Sequence, residues 1–273
     1  MENIRIKDTN IAHDKSSSPG KYPSYFRWLR DDDPADTNTV VTDSELTNHF
    51  NTKPIAWILE PPAISSHIYK YVDKNAEKFK YILTYSQELI DRHENAIFYP
   101  HGGTRLLEDE YNIYPEFKDK FCSIVVSDKQ WTGGHKFRHK CKEISTSYTV
   151  DIFEPKDGIY ASKVEAGQSY YYNIVVENGI YDDYFTEKII DSFLTGCIPI
   201  YNGTKNLKKY FNMDGVIEFN SADELEKILD NLSKNYAAAY KSKQAAIEEN
   251  FEIAKKYAIA EDWIFKNKHY IFK

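Results

Sequence analysis

The sequence predicts an α/β protein of parallel sheets with helices on both faces, arranged as two units. Three observations carry that prediction. Continuous apolar runs of buried-strand length recur along the chain, among them PIAWIL (54–59), FCSIVVS (121–127) and YYYNIVV (170–176). Segments of helical period stand between such runs, and strand–helix alternation implies parallel pairing through crossovers. A polar connection near residues 110–119 interrupts the alternation and divides it in two.

Taken in order, the first fifty residues are polar and broken by SSSPG and DDDPADTN, so they are expected to add little core. PIAWIL ends at Glu60-Pro61-Pro62, which stops a strand abruptly because proline has no N–H to donate. HIYKYVDKNAEKF (67–79) has a helical period. YILTYS (81–86) and AIFYP (96–100) read as strands, the second closed by Pro100 and the turn His101-Gly102-Gly103. Beyond the connection come the strand FCSIVVS, a helix over HKFRHKCKEI (135–144) and a short strand, TVDIF (149–153). The polar loop EPKDGIYASKVEAG (154–167) then leads into YYYNIVV. Strand and helix alternate again to about residue 220, and from SADELEKIL onward the chain is almost wholly helical by period and composition. No repeat of solenoid type is present.

With 273 residues, the chain suits one large domain or two ordinary ones, and 41% hydrophobic with 28% charged residues is the composition of a folded, soluble protein. A net charge of −7 argues against a general binder of nucleic acid or anionic membrane, while leaving room for local basic groups to hold one phosphorylated ligand. The three cysteines, Cys122, Cys141 and Cys197, form no C-x-x-C pair, so neither a disulfide framework nor a zinc site is expected. MENIRIKDTNIAHDKSSSPG has no apolar core of a signal peptide, and no run of eighteen apolar residues follows. The expectation is a cytoplasmic protein without a transmembrane segment. Its 22 tyrosines, with abundant Lys, Asn and Ile, suggest a microbial or viral source.

One stretch carries more chemistry than a strand–helix connection needs: VENGIYDDYFTEKIIDSFLTGCIPIYNG (176–203). Val176 ends a strand, so residues 177–184 lie at a carboxyl end, where open α/β sheets bind ligands. TEKIIDSFL forms a helix with Ile189, Ile190, Phe193 and Leu194 on its apolar face, and Gly196 is placed to end it in the left-handed conformation. Glu187 and Lys188 then fall in the first turn, where free N–H groups and the helix dipole favour an anion. A lysine there opposes the dipole, and a bound phosphate would account for it. The same residues also fit a plain helix start, with Thr186 or Asp183 as cap, Glu187 complementing the dipole and Lys188 solvated.

The spacing E-N-x-x-x-x-D-Y-x-T-E-K-I, followed by G-x-I-P-I-Y-x-G, resembles the signature of the α1,3/α1,4-fucosyltransferases, glycosyltransferase family 10. KPIAWILEPP (53–62) resembles the family's W-x-x-x-x-E-x-P segment, and AIFYPHG (96–102) its I-F-x-P-Y-G. FCSIVVSDKQ with GGHKFRHKCKEI resembles the strand and helix that open the donor domain. The resemblance spans roughly residues 53 to 215. It implies a GT-B type fold: two Rossmann-like domains with a central cleft and a helical C-terminal tail, divided as 1–115 for the acceptor and 116–273 for the nucleotide sugar. It implies GDP-fucose as donor, with Glu187 on the ribose, Asn178, Tyr184 and Lys188 on the nucleotide and its phosphates, and Arg138 on the pyrophosphate.

Such enzymes invert the anomeric carbon in one displacement, which needs a base for the acceptor proton and cations for the leaving diphosphate. Glu60 suits the base, since it ends a buried strand and Pro61-Pro62 fix its backbone; a solvated strand end is the plainer alternative. Arg138 and Lys188 suit the cations, although HKFRHK also fits a solvated basic helix face. His101 either lines an acceptor cleft or is a turn histidine. Asp31-Asp32-Asp33 contains a D-x-D pattern of metal-binding transferases, but with no strand before it a solvated loop is expected; the resemblance requires no such motif, so a divalent metal is possible but not implied. Trp57, Trp131 and Trp263 are candidates to stack on sugars, with burial the expectation for Trp57 and Trp263. Gly179 stands where the family has Ser and Val176 where it has Phe. The short N-terminal half leaves the glycan or glycoconjugate acceptor and its linkage unassigned. The alternatives are an inverting transferase using another nucleotide sugar, such as UDP-xylose, and a catalytically idle glycan-binding module.

Overall fold

Six short strands build the first sheet: β1 (Glu2–Lys7), β2 (Phe26–Leu29), β3 (Val40–Thr42), β4 (Ile55–Trp57), β5 (Tyr81–Thr84) and β6 (Ala96–Phe98). The computed structural model describes residues 2–8, 16–18, 21–31, 33–156 and 162–273. The strands pair in parallel in the order β2-β1-β3-β4-β5-β6. Side chains alternate between the two faces of a strand, and here both faces are apolar. Val40, Ile55, Trp57 and Leu83 join one core layer; Val41, Ala56, Ile58 and Ile82 join the other. Helices α1 (Pro62–Lys74) and α2 (Gln87–Arg92) cover the second layer through Ile68, Val72 and Leu89. Helix α1 starts five residues before its periodic segment, because proline at the first turn sacrifices no intrahelical hydrogen bond.

The first fifty residues overturn the expectation that they add little core. They supply three of the six strands, and Ile4, Ile6, Phe26, Trp28, Val40, Val41 and Leu46 are all buried. Their strands are three to six residues long and find their partners across polar breaks, so no long apolar run marks them. The D-x-D segment has a local counter-charge: Arg5 on β1 pairs with Asp31 at 2.8 Å, Asp33 at 3.2 Å and Asp36 at 2.9 Å. Asp32 lies outside the described residues.

The second sheet contains β7 (Lys120–Val125), β8 (Val150–Phe153), β9 (Tyr170–Val176), β10 (Ile198–Asn202) and β11 (Ile217–Glu218), in the order β11-β10-β9-β7-β8 and again parallel. The connections reverse direction between β7 and β9, which makes their carboxyl ends the switch point where doubly wound sheets bind ligands. Helix α3 (Gly133–Ser145) packs on one face with α6 (Ala222–Leu232), α7 (Tyr236–Lys241) and part of α8 (Gln244–Lys255). Helix α5 (Glu187–Leu194) covers the other face with the remainder of α8. A five-residue helix, α4 (Lys163–Gly167), occupies part of the segment read as loop, whose residues 157–161 lie outside the description.

Contacts divide the chain into one unit of Met1–Gly103, Tyr181–Tyr184 and Ile259–Lys273 and a second of Thr104–Ile180 and Phe185–Ala258. The expected division was at 115/116, with every C-terminal helix in the second domain. Instead, α9 (Ala260–Lys268) and the closing turn join the first unit, because Ala260, Ile264, Ile271 and Phe272 complete the core layer of Trp57. Trp263 packs half-buried on that layer, while Trp131 is 75% exposed. The cysteines are buried and free. Among the described residues no helix is long and apolar enough to cross a membrane.

Candidate active site

Helix α5 has the boundaries its sequence dictates. Thr186 caps it, its hydroxyl accepting the Lys188 N–H at 3.3 Å. At the other end Gly196 has φ +67°, its N–H bonds Phe193 O, and the Cys197 N–H bonds Ser192 O, both at 2.9 Å. This paired closure requires a left-handed residue, which glycine adopts without strain. Glu187 and Lys188 therefore sit in the first turn, beside the carboxyl end of β9.

A buried glutamate organises that turn. Glu177, the first residue after β9, is 1% exposed and accepts the Thr186 N–H at 2.9 Å and the Thr186 hydroxyl at 2.7 Å. It thereby closes the loop that runs out to Tyr181–Tyr184 and back. Lys188 Nζ lies 3.5 Å from Glu177, 3.3 Å from Glu187 and 3.0 Å from Thr186 Oγ1. The alternative of a simply solvated lysine is corrected accordingly: Lys188 already has two carboxylate neighbours. Burial raises the Glu177 carboxyl above its ordinary range, and the Lys188 ammonium opposes that shift.

Arg138 reaches the same strand end from α3. It is 6% exposed, so the solvated-face alternative does not hold for it. Its guanidinium donates to Val176 O, the last carbonyl of β9, and at 3.1 Å to Asn178 Oδ1. The approach of α3 to β9 depends on Gly134, where a Cβ would stand 2.0 Å from Glu177 O. His135, one position on, is buried, and its Nδ1 faces the Thr132 N–H at 3.3 Å in a reciprocal cap. Burial, then the Arg138 and Lys188 charges, hold His135 down at about 4, so the ring is neutral at physiological pH. Farther along α5, Asp191 accepts from Thr104 Oγ1 at 2.6 Å and the Arg105 N–H at 2.9 Å, and burial raises it to about 6.

The remaining predicted residues belong to the first unit. Glu60 follows β4 and is half-buried; its N–H points to Asp43 Oδ1 at 3.3 Å and its carbonyl accepts the Tyr69 hydroxyl at 3.2 Å. His101 follows β6, with its ring 6.5 Å from Tyr99 and 5.9 Å from Tyr184. Tyr184 is 1% exposed and packs on Tyr85 with centroids 4.7 Å apart. The structure thus gathers Arg138, Asn178, Glu187 and Lys188 at the second sheet, and Glu60, His101 and Tyr184 with the first unit. Placing Tyr184 in the second domain is therefore corrected; its aromatic neighbours decide its position. Sequence reasoning missed Glu177, His135 and Asp43. Only Glu177 had a signal, its place beside Asn178 in the motif. Among the described residues no group of three His, Cys, Asp or Glu side chains is arranged to hold a metal ion.

Residues 115–267, more than half the chain, match the family described as glycosyltransferase family 10 (fucosyltransferase), C-terminal part. The 4-galactosyl-N-acetylglucosaminide 3-alpha-L-fucosyltransferase 9 of Mus musculus is 28% identical over 165 residues, 58% of this chain and 44% of that protein. Its Homo sapiens counterpart is 27% identical over the same lengths. The match thus spans less than half of these curated relatives. A solved α1,3-fucosyltransferase with GDP-fucose superimposes with a TM-score of 0.57 at 16% identity, covering 93% of this chain and 82% of that one. S. aureus TarM, solved with UDP among its ligands, gives 0.54 at 12% identity over 87% of this chain and 56% of its own.

Proposed function

The chain belongs to glycosyltransferase family 10, the fucosyltransferase family, and has the α/β fold of GT-B type; on that premise we propose that it transfers fucose from GDP-fucose to a glycan hydroxyl. The observation that supports this most is the cluster of Arg138, Asn178, Glu187 and Lys188 at the switch point of the second sheet, inside the matched residues. Two side-chain cations there suit a diphosphate, and a solved α1,3-fucosyltransferase contains GDP-fucose.

In this reading the diphosphate draws Lys188 away from Glu177 and Glu187. The Glu187 carboxylate then accepts from the ribose hydroxyls, Asn178 is held by Arg138 for the nucleotide, and Tyr184 borders the donor. Glu60 takes the proton of the acceptor hydroxyl as that oxygen bonds to the anomeric carbon and GDP leaves, inverting the centre. Arg138 and Lys188 stabilise the charge that grows on the leaving phosphate. A 4-galactosyl-N-acetylglucosaminide, the acceptor in the names of the curated relatives, is the first acceptor to test. His101 stands on the Glu60 side and is assigned to the acceptor.

The test is turnover of GDP-fucose with that acceptor, with the product's anomeric configuration read by NMR. Inversion relative to the donor is expected, and Glu60→Gln should lower kcat by about 100-fold or more while GDP affinity stays unchanged. Retention of configuration, or full activity of Glu60→Gln, contradicts the mechanism. Transfer from a UDP-sugar instead would keep the transferase and remove fucose. Nucleotide binding without any turnover would point to the idle binding module.

A further inference from the structure

Asp43 stands where the first sheet ends. It comes directly after β3, whose Thr42 pairs with Trp57 of β4, so it sits one step beyond the paired strands, at the end of β4 that leads to Glu60. Two features set it apart. It is 2% exposed despite its charge, and its φ of +35° lies in the left-handed region that a residue with a Cβ rarely adopts. Strain of this kind persists only where the surroundings impose it, and it concentrates at functional sites. Among the described residues Asp183, in the loop before α5, is the other non-glycine residue with positive φ.

The carboxylate shows what imposes it. Asp43 Oδ1 accepts two consecutive amides, Leu59 N–H at 2.9 Å and Glu60 N–H at 3.3 Å. From the other side the Tyr69 hydroxyl on α1 bonds Glu60 O at 3.2 Å and meets the Tyr85 hydroxyl at 3.0 Å. The next residue, Pro61, has its own φ fixed. The peptide groups on both sides of Glu60 are thus held by side chains from β3's end and from α1, while the Glu60 side chain remains half-buried.

We propose that Asp43 and Tyr69 are positioning residues that clamp the backbone of Glu60 and so aim its carboxylate at the acceptor hydroxyl. The proposal rests on the reading of Glu60 as the base. A general base works only within hydrogen-bond reach of the proton it removes, and displacement by about 1 Å is enough to lower the rate about 100-fold. Sequence position alone would not reveal such a clamp, since Asp43 and Glu60 are joined only through the parallel register of β3 and β4.

Two substitutions at Asp43 separate hydrogen bonding from backbone strain. Glycine keeps the left-handed conformation and removes the acceptor; asparagine keeps an acceptor oxygen and also tolerates positive φ. In the full chain, Asp43→Gly should lower kcat by about 10- to 100-fold with GDP affinity, measured calorimetrically, within about twofold of the parent. Asp43→Asn should restore kcat to within about threefold. Tyr69→Phe, which keeps the ring, should lower kcat severalfold at unchanged GDP affinity. Full kcat in Asp43→Gly overturns the proposal, and so does an Asp43→Asn variant as slow as the glycine one. Parallel loss of kcat and GDP affinity in Asp43→Gly would mark a folding role and overturn it as well. If the glycine variant does not accumulate, unchanged kcat in Tyr69→Phe is the contradicting result. Glu60→Gln serves as control: if it is inactive while Asp43→Gly is fully active, only the clamp fails; if it is fully active, the base assignment fails first.

Discussion

Lys188 sits at the end of α5 where a positive charge is least welcome, and its neighbours account for it. Glu177 and Glu187 lie within 3.5 Å, and Glu177 is itself anchored by two bonds from Thr186. Removing one partner of a buried pair leaves the other uncompensated, so Lys188→Ala acts twice. It should weaken GDP binding by roughly 10- to 100-fold, the worth of a charge-assisted bond, and also lower stability because Glu177 is left alone in the interior. Calorimetric titration reads the first effect and urea unfolding the second; unaltered GDP affinity would remove Lys188 from the phosphate site. The placement of Asn178, Glu187 and Lys188 was legible because their spacing is local to one strand end and one helix start. The role of Glu177 was not, since nothing in a glutamate's identity says that the fold will bury it. Tyr184 was legible as a residue but not in its place, because Tyr85 and His101, which hold it, lie about a hundred residues earlier in the chain.

Among the elements, α5 was read correctly because its cap, its apolar face and its terminating glycine are all written within eleven residues. The first three strands were not, because each is brief and its identity depends on a distant neighbour: β1 lies between β2 and β3, with polar breaks separating all three in sequence. Helix α3 depends on a feature intermediate between these cases. Gly134 lets its first turn touch the end of β9, where any Cβ would collide with Glu177 O. Gly134→Ala must push α3 off the sheet and carry Arg138 away from Val176 O. It should lower unfolding free energy by about 1–3 kcal/mol, as overpacking generally does, and weaken GDP binding in step. Gly133→Ala, at a position with open space, is the internal reference and should leave both unchanged. Equal stability of the two variants would show that the α3–β9 approach is not tight.

Within the second unit, Asp191 of α5 holds Thr104 and Arg105 at that unit's start, and burial raises its carboxyl to about 6. A carboxyl whose folded value lies above its unfolded value of 3.8 stabilises the fold fully below that lower value. The contribution disappears as pH rises through about 6, and a shift of this size corresponds to roughly 3 kcal/mol. His135, depressed to about 4, acts in the opposite sense, its contribution vanishing as pH falls. Comparing Asp191→Asn with the parent isolates the first group. The variant should gain on the parent by roughly 3 kcal/mol between about pH 3 and pH 8, as read by urea unfolding. A pH-independent difference would show that Asp191 is not the buried proton carrier. At this scale the alternation of strand and helix was legible from residue 54 onward, whereas the return of α9 to the first core was not, since an amphipathic helix does not name the sheet it covers. In the proposed function the switch point of the second sheet holds a guanosine diphosphate sugar. The most direct measurement is calorimetric titration of the full chain with GDP and, separately, UDP. Saturable GDP binding at least about tenfold tighter than UDP, a difference of about 1.4 kcal/mol or more, is the predicted result. UDP binding as tight as GDP, or no binding of either at about 1 mM, would contradict it.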